Sequence, residues 1–177
     1  MLGKRIAIVF MLLLNIISFN AFAQKIDVNK SYAKFNVSKL GFSNVSGTFK
    51  GMEGRLAFDP TDLGHSMFDV CIKAATVSTG EEDRDNHLKE KDFFHVKKYP
   101  KICFKSTSML QTKSGYLVTG QLTIKGKSKV VNIPFTYANR TFKGNLKVNR
   151  KDFDLNDGTG MFTIGEMVAI EIYCIVP

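Results

Sequence analysis

Hydrophobic and polar residues alternate with a period of two along most of the chain. Ala33, Phe35 and Val37 alternate with Lys34, Asn36 and Ser38, and Phe68, Val70 and Ile72 with Asp69, Cys71 and Lys73. Tyr116, Val118, Leu122 and Ile124 share one phase, and Val131, Ile133, Phe135 and Tyr137 make another such set. Phe142, Leu146 and Val148 alternate with Lys143, Asn145 and Lys147, and Val168, Ile170 and Ile172 follow near the end. Successive side chains of a strand point to opposite faces, so the pattern predicts antiparallel strands with one apolar and one solvated face. Weaker strands are expected over 44–50, 55–58 and 102–107. Lys113-Ser114-Gly115, Lys125-Gly126-Lys127 and Ala138-Asn139-Arg140 are short, turn-like connections. Pro134 cannot donate a ladder hydrogen bond and is expected at an edge-like or bulged position. Counting the strands around Gly51–Gly54 as one bent strand or two gives eight or nine.

The segment from Thr79 to Lys91 breaks the alternation and is rich in charge. Thr79 followed by Glu82 fits a capping box, and acids crowd the first turn. A helix of two to three turns is therefore predicted near residues 80–91.

Many strands with one apolar face must close on themselves or pair with a second sheet. Local hairpins and a single helix favour up-and-down closure. The expected class is all-β, an eight-stranded antiparallel barrel with one short inserted helix. Such a barrel is filled by its own side chains or holds one small ligand. Gly47, Gly120 and Gly144 fall on the apolar phase, where a missing side chain either bends the strand or leaves interior space. Together they favour a cavity.

Composition changes the picture mainly at the N-terminus. The chain has 177 residues and a formal charge of +9. Lys4 and Arg5 precede an almost wholly apolar stretch from Ile6 to Phe19, and Ala21-Phe22-Ala23 is a small-x-small cleavage pattern. Residues 1–23 are expected to be a secretory signal peptide, removed to leave 24–177 as one exported, periplasmic domain. The apolar run is short against the ~20 residues of a membrane span, so stable membrane insertion is not expected. The scattered lysines look like a solvated outer face, and nucleic-acid binding is not expected. Weak attraction to anionic head groups is the alternative use of the charge.

Several stretches resemble the YceI-like family of exported lipid-binding domains. Arg84-Asp85-x-His87-Leu88 leads into Asp92-Phe93-Phe94 and then Tyr99-Pro100-Lys101-Ile102-x-Phe104-x-Ser106. Phe35-x-Val37, Gly41-Phe42-Ser43, Gly47-x-Phe49 and Gly120-x-Leu122-Thr123-Ile124-x-Gly126 follow the same order. Arg150-x-Asp152-Phe153 precedes Gly165-Glu166-x-Val168. The ordered set spans residues 26–176. The resemblance implies a lipocalin-like eight-stranded barrel in the periplasm that binds polyisoprenoids or fatty-chain lipids, and it does not imply an enzyme; no cofactor is expected. Lys39 stands where the family often has a histidine, and Ser128 where a threonine is usual. Lys39 would favour an anionic head, unless it is simply a solvated strand-end lysine.

The expected ligand-binding residues are the apolar set Phe35, Val37, Phe68, Val70, Ile72, Val118, Leu122, Ile133, Phe135, Leu146, Val148, Val168 and Ile170. A filled structural barrel with a protein partner would show the same pattern and is one alternative. The other is a metal-dependent or hydrolytic enzyme using Asp83, His87 and His95, with His65 elsewhere. Asp83 and His87 have helical ligand spacing, but no third helical ligand is present. A helix-capping acid and a packed or solvated histidine account for these residues adequately. Arg84, Asp85 and His87 are expected to fasten the helix to the barrel rim. The sequence leaves open whether the chain forms a homodimer.

Of the three cysteines, Cys71 and Cys103 lie on the polar phase of consecutive strands flanking the helix. Antiparallel pairing would place both on the outer face, which makes them a disulfide candidate in an oxidising compartment. Cys174 shares its phase with Ile170 and Ile172 and is expected to be a buried free thiol. The alternative is three unpaired cysteines acting as small apolar residues.

Overall fold

The computed structural model describes residues 23–39, 43–155 and 164–177. The expected signal peptide thus lies outside the described residues, except for Ala23, and so do Gly41 and Phe42 of the family pattern.

Among the described residues nine strands form one antiparallel sheet. They are β1 (Tyr32–Lys39), β2 (Ser43–Lys50), β3 (Glu53–Ala57), β4 (Met67–Lys73), β5 (Lys101–Thr112), β6 (Gly115–Ile124), β7 (Lys127–Ala138), β8 (Thr141–Asn149) and β9 (Ile164–Ile175). Their order in the sheet is β2-β1-β9-β8-β7-β6-β5-β4-β3. The edge strands β2 and β3 are consecutive in the chain and joined through Gly51-Met52. The sheet therefore curls until its two edges meet in one bent strand. The expected count of eight becomes nine because the backbone breaks at this bend. Gly51 has φ 73° and Gly54 φ 137°. At Gly54 a Cβ would also meet the backbone of Asp69 and sit 2.9 Å from Cα of Val70, so only glycine fits the bend.

The free edges are covered in part. On β2, Thr48 and Ser78 exchange backbone hydrogen bonds of 2.8 and 3.0 Å, and Lys50 N donates to Thr76 Oγ1 at 2.8 Å. On β3, Gln24 N donates to Leu56 O at 2.6 Å. Covered positions do not template pairing with other chains. The hairpin turns follow their residues. Lys125-Gly126 and Asn139-Arg140 have positive φ at both positions, the primed geometry that matches strand twist.

Pro134 marks an irregularity. β7 pairs with β8 only from Phe135↔Gly144 to Ala138↔Thr141, and Pro134 is the first residue beyond that ladder. Below it the two strands separate, and the 3-10 turn Arg150–Phe153 fills the gap with a buried Phe153. Lys127 pairs with Asp154, and Lys129 with Asp152 at 3.8 Å.

The helix is shorter than the charge pattern suggests. α1 runs Glu82–Lys89, its N-cap is Glu81, and no side chain caps it. The expected Thr79–Glu82 capping box is not made. Gly80 has φ 81°, and Thr79 is instead bound by Asp85, whose Oδ1 accepts from Thr79 N at 2.7 Å and Thr79 Oγ1 at 2.5 Å.

Cys71 and Cys103 are directly opposed in the β4–β5 ladder and joined by a disulfide, with Cα atoms 4.0 Å apart. Cys174 is a buried free thiol.

Candidate functional site

Apolar side chains from the strands converge on the barrel axis because the period-two pattern puts them all on one face. They enclose a cavity of about 290 Å³ whose wall is almost entirely carbon. Phe35, Val37, Phe68, Val70, Ile72, Val118, Leu122, Ile133, Phe135, Leu146, Val148, Val168 and Ile170 all contribute to that wall. Residues outside this set also line it, among them Phe49, Met52, Leu56, Phe93, Phe94 and Phe104. Phe49 and Leu56 lie on short strands whose alternation is broken by glycines. Phe93 and Phe94 lie in no strand, and their signal was the Asp92-Phe93-Phe94 stretch of the family pattern rather than any alternation.

The two ends of the cavity differ. One is built by α1 and the turn after it. Phe94 packs edge-on against Phe49 at 5.1 Å, and Leu88 and Phe94 join the core. Arg84, His87 and Arg150 enter the wall at this end. At the other end Phe58 leaves β3 and turns inward. Its ring makes edge contacts with Tyr116, Phe135, Tyr137 and Phe142 at 5.0–5.6 Å. Phe58, Tyr116 and Tyr137 lie beyond the cavity wall, so this aromatic cluster plugs the far end. Edge-to-face pairs of this kind are favourable beyond the area they bury.

The guanidinium groups hold the backbone rather than point at a ligand. Arg150 donates to the carbonyls of Gly165 (3.1 Å), Leu155 (2.8 Å) and Ile164 (3.3 Å). Arg84 donates to Thr79 Oγ1 (2.7 Å), Thr79 O (3.1 Å) and Glu81 Oε2 (2.7 Å). Asp85 binds the same Thr79, so Arg84 and Asp85 tie α1 to the segment that leads into it rather than directly to the barrel rim. Burial pulls the Asp85 carboxyl upward, but hydrogen bonds from Thr79 and Ser78 and the Arg84 charge outweigh it and leave it below its usual value. His87 does not share in this. It is exposed and packs edge-on against Phe93 at 5.0 Å.

The interior glycines do not leave space in the way their phase suggests. Gly47 is directly opposite Phe35, and a Cβ there would sit 2.6 Å from Cε1 of that ring. At Gly120 a Cβ would sit 2.6 Å from Cζ of Phe104. Both positions are filled by a neighbouring phenylalanine, and of the three only Gly144 lines the cavity. The Gly126 turn has a related role, since φ 75° and the Tyr99 ring, 2.7 Å from where a Cβ would lie, both require glycine.

The residues of the enzymatic alternative are not gathered. Among the described residues no three His, Cys, Asp or Glu side chains come together to hold a metal. His95 packs on Tyr99 at 5.8 Å, and His65 Nδ1 lies 2.7 Å from Asp62. Lys39 is exposed and outside the cavity wall. Among the described residues no helix is long and apolar enough to cross a membrane.

A model of the YceI-like domain matches residues 24–175. The chain belongs to the YceI-like family. A UPF0312 protein of Photorhabdus laumondii is 34% identical over 161 residues, 84% of each chain. Protein YceI of Escherichia coli is 31% identical over 140 residues, 73% of each. Burkholderia cenocepacia BcnA superposes with a TM-score of 0.78 at 29% identity, covering 86% of this chain and 99% of that one. A polyisoprenoid binding domain from Saccharophagus degradans shares the fold at 14% identity, with a TM-score of 0.66 over 88% of this chain and 99% of that one. The lipocalin-like antiparallel barrel expected of this YceI-like chain is thus the fold observed.

Proposed function

We propose that this YceI-like protein binds a long apolar molecule, a polyisoprenoid or fatty-chain lipid, inside its barrel and carries it through an aqueous compartment without covalent chemistry. The observation that carries this reading is the 290 Å³ carbon-lined cavity, plugged by aromatics at the end away from α1. A chain lying in it replaces water by apolar contact at ~0.8 kcal/mol per buried CH₂. The fold shared with a polyisoprenoid binding domain supports the ligand class. The signal-peptide pattern before residue 24, where the family match begins, supports export to the periplasm.

Uptake of a fluorescent fatty-chain probe tests the site. Val70→Trp projects an indole into the cavity and is expected to weaken uptake about tenfold or more, the equivalent of two buried methylenes. Val130, 70% exposed on the outer face, is the control, and Val130→Trp leaves uptake unchanged. Equal uptake by both variants would place the ligand elsewhere.

A further inference from the structure

The volume and the ligand class pull against each other. About 290 Å³ lies at the bottom of the ~300–1,000 Å³ range of drug-sized sites. A polyisoprenoid much larger than a drug-sized molecule cannot be enclosed, and the Phe58 cluster blocks the far end. The excess chain must leave somewhere.

Among the paired strands the ladder is shortest between β7 and β8. It has four residue pairs and stops at Phe135↔Gly144, against five pairs in β3–β4 and in β4–β5 and more in the remaining ladders. Pro134 has no N–H to continue it, and Asn145, the residue that would face Pro134, is exposed. The Phe153 turn closes the gap nearer the α1 end, which leaves the level of Pro134 and Asn145 without a wedge. A recess opens on the outer surface at this level, lined by Pro134, Lys143, Asn145 and Tyr173. Phe135, Gly144 and Ile172 border both the recess and the central cavity. Gly144 has no side chain to thicken the wall they share.

Resting on the proposed function, we propose that Gly144 roofs a side outlet between β7 and β8 through which the tail of a long apolar chain leaves the barrel. The outlet then sets ligand length. Short chains fit within the cavity and ignore it, whereas long chains need it.

Photocrosslinking of the unmodified protein tests this directly. Solanesol carrying a diazirine at its ω end is expected to label Pro134, Lys143 or Asn145. Labelling confined to α1 and Phe93 overturns the outlet and leaves the lipid-binding reading standing. Failure of the protein to bind either solanesol or geraniol overturns the lipid-binding reading itself. In Asn145→Trp, whose ring would fill the outer recess without entering the cavity wall, solanesol binding is expected to fall about tenfold with geraniol binding unchanged. Equal loss of both ligands, or loss of neither, contradicts the length-setting role.

Discussion

Phe58 and Cys174 show how single positions shape the interior. Phe58 touches aromatic rings from β4, β6, β7 and β8, so its loss leaves a void that surrounding rings cannot collapse to fill. Phe58→Ala is expected to cost about 3–5 kcal/mol in chemical denaturation, the usual range for a large core aromatic. Cys174 lies in the cavity wall, and burial pushes its thiol up to about 12, against a smaller pull from Ser31. The folded state therefore holds the proton more tightly than the unfolded state. Its contribution is complete below the ordinary value of 9.0 and is lost as pH rises toward about 12. Relative to Cys174→Ala, the unmodified protein should lose stability over that window in denaturation at a series of pH values. Thiol titration of denatured, unreduced protein should count one free group, because Cys71 and Cys103 are bonded. Three free groups would contradict the pairing.

At the scale of elements, α1 is held by Asp85 and not by its own cap. The helix has no buried residue and no side-chain cap. Its ties are the Asp85–Thr79 hydrogen bonds and the rings that follow it. The Asp85 carboxyl is held below its usual value, so its contribution is present above the unfolded value and is lost as pH falls through the folded one. Acidification through this range, or Asp85→Asn, should raise amide hydrogen exchange over 82–89 while β6 stays protected. Uniform exchange throughout the barrel would show that α1 does not open separately. Much of this was legible in the sequence. The strands with clean alternation, such as Tyr116–Ile124 and Val131–Tyr137, appear where period two places them. The opposed cysteines follow from phase and chain order. What escaped was set by contacts between distant segments. Thr79 is a good cap by residue type, but Asp85 competes for it. Gly47 and Gly120 look like gaps in one strand, and only the neighbouring strand shows that Phe35 and Phe104 fill them. Phe93 and Phe94 belong to no repeating pattern, yet they build one end of the cavity.

For the whole molecule, the barrel is a sleeve whose outer face is solvated and whose inner face is carbon. The disulfide, the partly covered edges and the bent β2–β3 strand hold the sleeve shut without filling it. The chain has the family and fold of a YceI-like barrel, and its cavity supplies the place for the ligand proposed above. Native mass spectrometry of protein purified without lipid extraction tests this most directly. Lipid occupancy predicts a mass above that of the polypeptide, which organic extraction removes and which reappears on incubation with a prenyl alcohol or fatty chain. A bare polypeptide mass that neither probe changes would contradict it.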